Sequence, residues 1–152
     1  DEGALLEALN NGRLSNYVTD FPSQELLKSK KAILLPHIGA STDEAEENCA
    51  IMAVDQLRNF LENGTIENSV NFPSLALEKT DSFRIAIINQ NVPRMLGQIL
   101  SILADKDINV LDMLNKSRND VAYNLIDIET KPSEDTLDEI RAIEDVIKVW
   151  LI

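Results

Sequence analysis

Two places in the sequence gather side chains able to move a proton or grip a small polar molecule. The first is His37, the only histidine. It lies in Pro36-His37-Ile38-Gly39-Ala40-Ser41-Thr42, directly after the apolar run Ala32-Ile33-Leu34-Leu35. Imidazole titrates near neutrality, so it can accept and return a proton. A neighbouring carboxylate orients it and stabilises its charged form. The second place is Asn89-Gln90-Asn91-Val92-Pro93-Arg94, together with Asn109. Asn carries donors and acceptors in one side chain, which suits a zwitterion with a hydroxyl. A helix N-terminus adds free amides and partial positive charge for a carboxylate. The plainer reading is structural: His37 as a packed side chain, Asn91 as a helix cap, Asn89 and Asn109 as turn residues.

The elements that would position these groups are legible in the periodicity. Phe83-Arg84-Ile85-Ala86-Ile87 alternates and predicts a half-buried strand ending at Asn89. Pro93 presets a first helical turn. Leu96, Ile99, Leu100 and Leu103 then make one apolar helical stripe. Strands follow from Ile108 to Ser117 and from Val121 to Ile128, with Arg118-Asn119-Asp120 as the turn between them. Ser133 is placed to cap a helix bearing Leu137, Ile140 and Ile143, and the β-branched run from Val146 to Ile152 predicts a last strand. The order βαββαβ is the ferredoxin-like split arrangement, one antiparallel sheet with both helices on one face.

The first half reads as α/β. Ala4, Leu5, Ala8 and Leu9 form a helical pattern ended at Gly12, and Tyr17-Val18-Thr19 is a short strand. The continuous run from Ala32 to Leu35 suits a strand buried on both faces, at whose carboxyl end chemistry collects in such sheets. Ser41 or Thr42 caps a long helix past Met52, Leu57 and Phe60, which stops at Asn63-Gly64. A helix arriving at Glu2 without the strand it should follow predicts that the chain starts inside a longer protein. The domain boundary is expected in Asn68-Ser69-Val70-Asn71-Phe72-Pro73, giving segments 1–73 and 74–152.

Composition narrows the function classes. A net charge of -12 repels a phosphate backbone, so nucleic acid is an unsuitable partner. The single Cys49 excludes an intramolecular disulfide and fits a reducing, cytoplasmic setting. No apolar run reaches membrane-spanning length, and neither a CxxC pair nor a metal-ligand spacing of His and carboxylates is present. The five glycines, at 3, 12, 39, 64 and 97, are isolated, so no GxGxxG pyrophosphate loop exists in this chain.

Asn89-x-Asn91-x-Pro93, an amphipathic helix and Asn109 just before the next strand resemble ACT domains, in particular the serine-sensing kind at the C-terminus of some D-2-hydroxyacid dehydrogenases. The segment Pro36 to Thr42, followed by Glu44-Ala45-Glu46-Glu47-Asn48, resembles the catalytic-histidine segment of the D-2-hydroxyacid dehydrogenase family. Asp1-Glu2-Gly3-Ala4-Leu5 to Gly12 resembles the helix after that family's catalytic arginine. The resemblance implies the tail of a Rossmann-type region followed by an ACT domain. It implies His37 as general acid/base in an NAD-dependent parent that oxidises 3-phosphoglycerate to 3-phosphohydroxypyruvate in serine biosynthesis, with its carboxylate at Glu25 in Phe21-Pro22-Ser23-Gln24-Glu25; alignment on Phe21-Pro22 puts Gln24, able to orient the ring but not to supply charge, at the acid's own place. It also implies ACT domains paired edge to edge into a homo-oligomer, with L-serine or another small amino acid held at the joint by Asn89, Asn91 and Asn109. The alternative is a free-standing amino-acid-binding module. Two positions depart from the family pattern: Arg94 stands where Gly is usual, and Asn89 where many members have His.

Overall fold

The computed structural model describes residues 1–78 and 80–152. They form two compact units, Asp1–Cys49 and Ala50–Ile152. The division falls earlier than the expected 73/74 boundary, because Phe60, Ile66, Phe72 and Leu75 pack into the same core as the second unit's sheet.

The first unit opens with helix α1, Glu2–Asn10, whose N-terminus is capped by Asp1 accepting the Ala4 amide at 2.9 Å. Gly12 follows at φ +82°, the left-handed conformation that ends helices. Strands β1 (Tyr17–Thr19) and β2 (Ala32–Leu34) pair in parallel, Tyr17 opposite Ala32 and Thr19 opposite Leu34. A single 3-10 turn, Leu26–Lys28, lies between them and buries Leu26. The expected double-sided burial of β2 is absent: Ile33 and Leu35 are about half exposed, at 49% and 51%. Two short strands make no layer thick enough to cover either face. Helix α2, Asp43–Asn63, begins where Thr42 Oγ1 accepts the Ala45 amide, with Asp43, Glu44 and Glu46 in its first turn complementing the dipole.

The second unit contains β3 (Phe83–Gln90), α3 (Met95–Asp105), β4 (Val110–Arg118), β5 (Val121–Ile128), α4 (Glu134–Arg141) and β6 (Val146–Leu151). Its sheet runs β4-β5-β3-β6, and all three pairings are antiparallel. This is the ferredoxin-like topology that the sequence predicts. Ile85, Ile87, Ile126, Ile128 and Val149 face α3 and α4, meeting Ile99, Leu103, Leu137 and Ile140.

The opposite face is covered as well. There Ala86, Tyr123 and Leu125 pack with Ile66 and Leu75, flanked by Phe60, Phe72 and Trp150. Thus β3 is buried on both sides rather than half-buried. Gly64 ends α2 at φ +70° and lies so close to the sheet that an added Cβ would stand 2.6 Å from Leu125 Cδ2. Its carbonyl accepts the Tyr123 hydroxyl at 2.8 Å.

One local expectation is corrected. Asn91 does not cap α3. The helix starts at Met95 with Arg94 as its N-cap residue, in the left-handed conformation at φ +76° and with no capping side chain. The Asn91 amide group instead donates to the Asn119 carbonyl at 3.1 Å, and its backbone N–H to Asp120 at 2.8 Å. Asn91 therefore ties the β3–α3 connection to the β4–β5 turn. The positive φ also explains why glycine is the ordinary residue after such a proline: it adopts this conformation without steric cost.

Candidate functional site

In the first unit, parallel pairing brings the carboxyl ends of β1 and β2 together. Thr19 lies opposite Leu34, so the residues just beyond the two strands become neighbours. Asp20 Oδ2 stands 3.3 Å from His37 Nδ1, and the Phe21 ring meets the imidazole edge-on at 5.4 Å between centroids. His37 and Asp20 are both more than half exposed, at 68% and 54%. Asp20 thus faces the Nδ1 side of the ring, where a carboxylate can orient an imidazole. Glu25, the carboxylate expected from sequence, lines a depression with Leu6, Asn10 and Lys28. Asp20 was overlooked because its neighbour across the sheet is seventeen positions away in the chain; the parallel register is the signal that finds it.

In the second unit, a cleft of about 200 Å³ opens between the end of β3 and the start of α3. Asn89, Asn91, Arg94, Asn115 and Ala122 are among its lining residues. Clefts for drug-sized ligands run about 300–1,000 Å³, so this one suits something smaller. Gln98 makes the first helical hydrogen bond of α3, to the Arg94 carbonyl. The amides of Met95, Leu96 and Gly97 therefore form the positive end of the helix at the cleft. Asn89 is only 2% exposed; its Oδ1 accepts from Asn124 Nδ2 at 2.7 Å and its Nδ2 donates to the Gln90 carbonyl at 2.6 Å. Asn89 and Asn91 thus share one cleft, with an excess of amide donors and with Asn91 Oδ1 as an acceptor.

Asn109 does not join them within one chain. It pairs with Glu129 just before β4, where its Nδ2 donates to Glu129 Oε2 at 3.4 Å. The cleft lies beside Ala122, at the other end of β5, on the order of 20 Å away at strand spacing.

A further constellation escaped the sequence reading. Arg84 and Asp127 are buried directly opposite one another on β3 and β5. Arg84 Nε and Nη2 reach the two Asp127 oxygens at 2.6 and 2.7 Å. The remaining guanidinium donors go to the carbonyls of Asn63, Leu77 and Glu78. All five donors of the fork are used. An Arg inside an alternating strand reads as solvent-facing, and only the covering of the second sheet face buries it.

The topology defines a ferredoxin-like domain with a small cleft where β3 meets α3. No family model matches the chain. The particular relatives are dehydrogenases: along nearly its whole length the chain is homologous to D-3-phosphoglycerate dehydrogenases. It is 32% identical to the "D-3-phosphoglycerate dehydrogenase" of Dictyostelium discoideum over 160 residues, covering 97% of this chain and 39% of that protein. It is 29% identical to the one from Haemophilus influenzae over 164 residues, covering 100% of this chain and 40% of the relative. The chain spans about two-fifths of the length of the curated relatives it matches. Among solved structures, it is similar to the ACT domain of GTP pyrophosphokinase from Chlorobium tepidum. That likeness has a TM-score of 0.41 and 19% identity, over 48% of this chain and 100% of that one.

The relatives imply NAD. The residues present do not fit it, because a pyrophosphate needs several glycine amides at one strand–helix turn and each glycine here is isolated. No step through the dinucleotide is therefore derived on this chain. Among the described residues no group of three or more His, Cys, Asp and Glu could hold a metal ion, and no helix is long and apolar enough to cross a membrane.

Proposed function

We propose that this chain is the C-terminal part of a cytoplasmic, NAD-dependent enzyme that oxidises 3-phosphoglycerate to 3-phosphohydroxypyruvate. Residues 74–152 are its regulatory module for L-serine or another small amino acid. The observation that carries this reading is the homology to D-3-phosphoglycerate dehydrogenases over 97% of the chain.

His37 has the proton-transfer role. Its Nε2 accepts the C2-hydroxyl proton of the substrate, while Asp20 against Nδ1 orients the ring. Glu25 lies off this axis, as a second carboxylate of the segment. The hydride acceptor is held by residues outside this chain.

In the module, the α3 N-terminus receives the ligand carboxylate, and Asn89 and Asn91 bond its polar groups. The position of Asn109 supports pairing of two copies. Strand β4 is an edge of the sheet, and an unpaired edge is a template for another strand. Antiparallel two-fold pairing through β4 sets the start of one β4 against the end of the other. It therefore carries Asn109 of one copy toward the cleft of the second.

Two measurements test the reading. In the full-length protein, His37→Ala should cut NADH formation from 3-phosphoglycerate by roughly two to four orders of magnitude; an unchanged rate removes His37 from the chemistry. In this chain, millimolar L-serine should shift sedimentation toward dimer and raise the thermal midpoint, because a ligand shared by two copies binds only the dimer. Asn109→Ala should abolish both shifts and keep the fold. Ligand binding without dehydrogenase activity in the full-length protein would instead favour the free-standing module.

A further inference from the structure

Three amide side chains beside the cleft, two of them buried, form a directed chain. Asn115 on β4, Asn124 on β5 and Asn89 on β3 lie on the helix-facing side of the sheet, Asn115 directly opposite Asn124 and Asn124 opposite Ile87. Asn115 Nδ2 donates to Asn124 Oδ1. Asn124 Nδ2 donates to Asn89 Oδ1 at 2.7 Å and approaches the Ile87 carbonyl at 3.4 Å. Asn89 Nδ2 donates to the Gln90 carbonyl at 2.6 Å.

Two carbonyls, which can only accept, set the sense of this chain. Because Asn124 must present its NH₂ to the Ile87 carbonyl, its oxygen faces Asn115. Asn89 must then present its oxygen to Asn124 and its NH₂ toward the Gln90 carbonyl. The remaining N–H of Asn89 is left as a donor, while its oxygen already accepts from Asn124. Asn115 is exposed and lines the cleft, with its oxygen and one N–H not engaged in the chain.

Packing alone does not account for these residues. Asn124 is 0% exposed in a strand whose buried neighbours Leu125, Ile126 and Ile128 are apolar. Burying an amide is costly, and replacing hydrogen-bonded partners by apolar groups of like shape is often close to neutral. A linked amide chain that ends at a cleft has a use that a Leu there lacks: it sets which hydrogen-bonding groups a ligand meets.

We propose that Asn124 is a positioning residue that fixes the sense of the Asn89 amide. Asn115 is the specificity-determining contact, favouring amino acids with a short hydrogen-bonding side chain over apolar ones of the same size. This rests on the cleft being an amino-acid site.

The test is calorimetry of the 152-residue chain with L-serine and with L-alanine, which differ by one hydroxyl. The unaltered chain should prefer L-serine. Asn115→Ala should lower serine affinity about tenfold and leave alanine affinity within about twofold, erasing the preference. Asn124→Leu should weaken both ligands about tenfold with secondary structure retained, because Asn89 loses its fixed sense. Asn124→Val serves as a second variant if the Leu side chain impairs folding. Nuclear magnetic resonance of the Asn89 side-chain NH₂ gives a ligand-free readout: its exchange with solvent should be slow and should accelerate in Asn124→Leu, which removes the donor to Asn89 Oδ1. A serine-to-alanine ratio unchanged in Asn115→Ala, or unaltered Asn89 exchange in Asn124→Leu, overturns this proposal and leaves the amino-acid site standing. Failure of the unaltered chain to bind any of the standard amino acids overturns both.

Discussion

Arg94 holds φ +76° at the entrance of α3 without a capping bond. For a residue with a Cβ this conformation costs roughly 1–2 kcal/mol, while glycine gains back about 0.5–1 kcal/mol of unfolded-chain entropy. Arg94→Gly is therefore expected to stabilise the fold by about 0.5–1 kcal/mol, read as an increased denaturant midpoint with an unchanged slope. Arg84 presents the opposite case, a charge that is buried and fully bonded. Arg84→Met leaves Asp127 buried without its partner and should cost about 3–5 kcal/mol. The double variant Arg84→Met with Asp127→Leu should recover most of that loss, since a well-packed apolar pair replaces an ion pair at little net cost. A double variant no more stable than the single one would show that the bonds to Asn63, Leu77 and Glu78 matter more than the charge pair.

Among the elements, the covering of the sheet by the end of α2 and the segment after it depends on Gly64 and Tyr123. The Tyr123 hydroxyl is sealed against the Gly64 carbonyl at 2.8 Å. Burial raises its pKa above the ordinary 10.0, with the Arg84 charge opposing more weakly. A raised folded-state value means that the fold keeps the proton which the unfolded chain releases. Stability is therefore intact below about pH 10 and falls as pH climbs from there toward the folded value. Tyr123→Phe should lose about 1 kcal/mol at neutral pH, from the missing hydrogen bond, yet flatten the alkaline decline. Equilibrium unfolding at a series of pH values above and below 10 measures both effects, and an equally steep decline in the variant would assign it to other groups.

At the scale of the whole molecule, 26 acidic against 14 basic residues set copies of the chain against one another electrostatically. Pairing through β4 works against that field. Raising ionic strength from about 20 to about 200 mM shortens the screening length and should tighten self-association by several-fold. Sedimentation equilibrium across that salt range checks it; association that weakens with salt would mean that specific ion pairs, not β4 backbone and apolar contacts, hold the copies. The exposed Leu111 on the edge strand, at 53%, is an apolar contact available to such a pairing.

The sequence by itself determined what neighbours within three or four positions decide. The strand at β3, the apolar stripe of α3, the Ser133 cap that accepts the Thr136 amide, the Thr42 cap and the stop at Gly64 all stand where local chemistry places them. So does the position of His37 just past a strand. What only the tertiary structure decided was who meets whom across a sheet. Parallel register, not chain proximity, gave His37 the carboxylate of Asp20. Antiparallel register put Asn109 at the far end of β5 from Asn89 and Asn91, and aligned Asn115 with Asn124. The covering of the second sheet face buried Arg84 against Asp127, and the left-handed turn at Arg94 moved the helix start and released Asn91 to the β4–β5 turn. Periodicity and capping are short-range and printed in the chain. Register and layer packing are settled by the summed burial of residues tens of positions apart, which no local window contains.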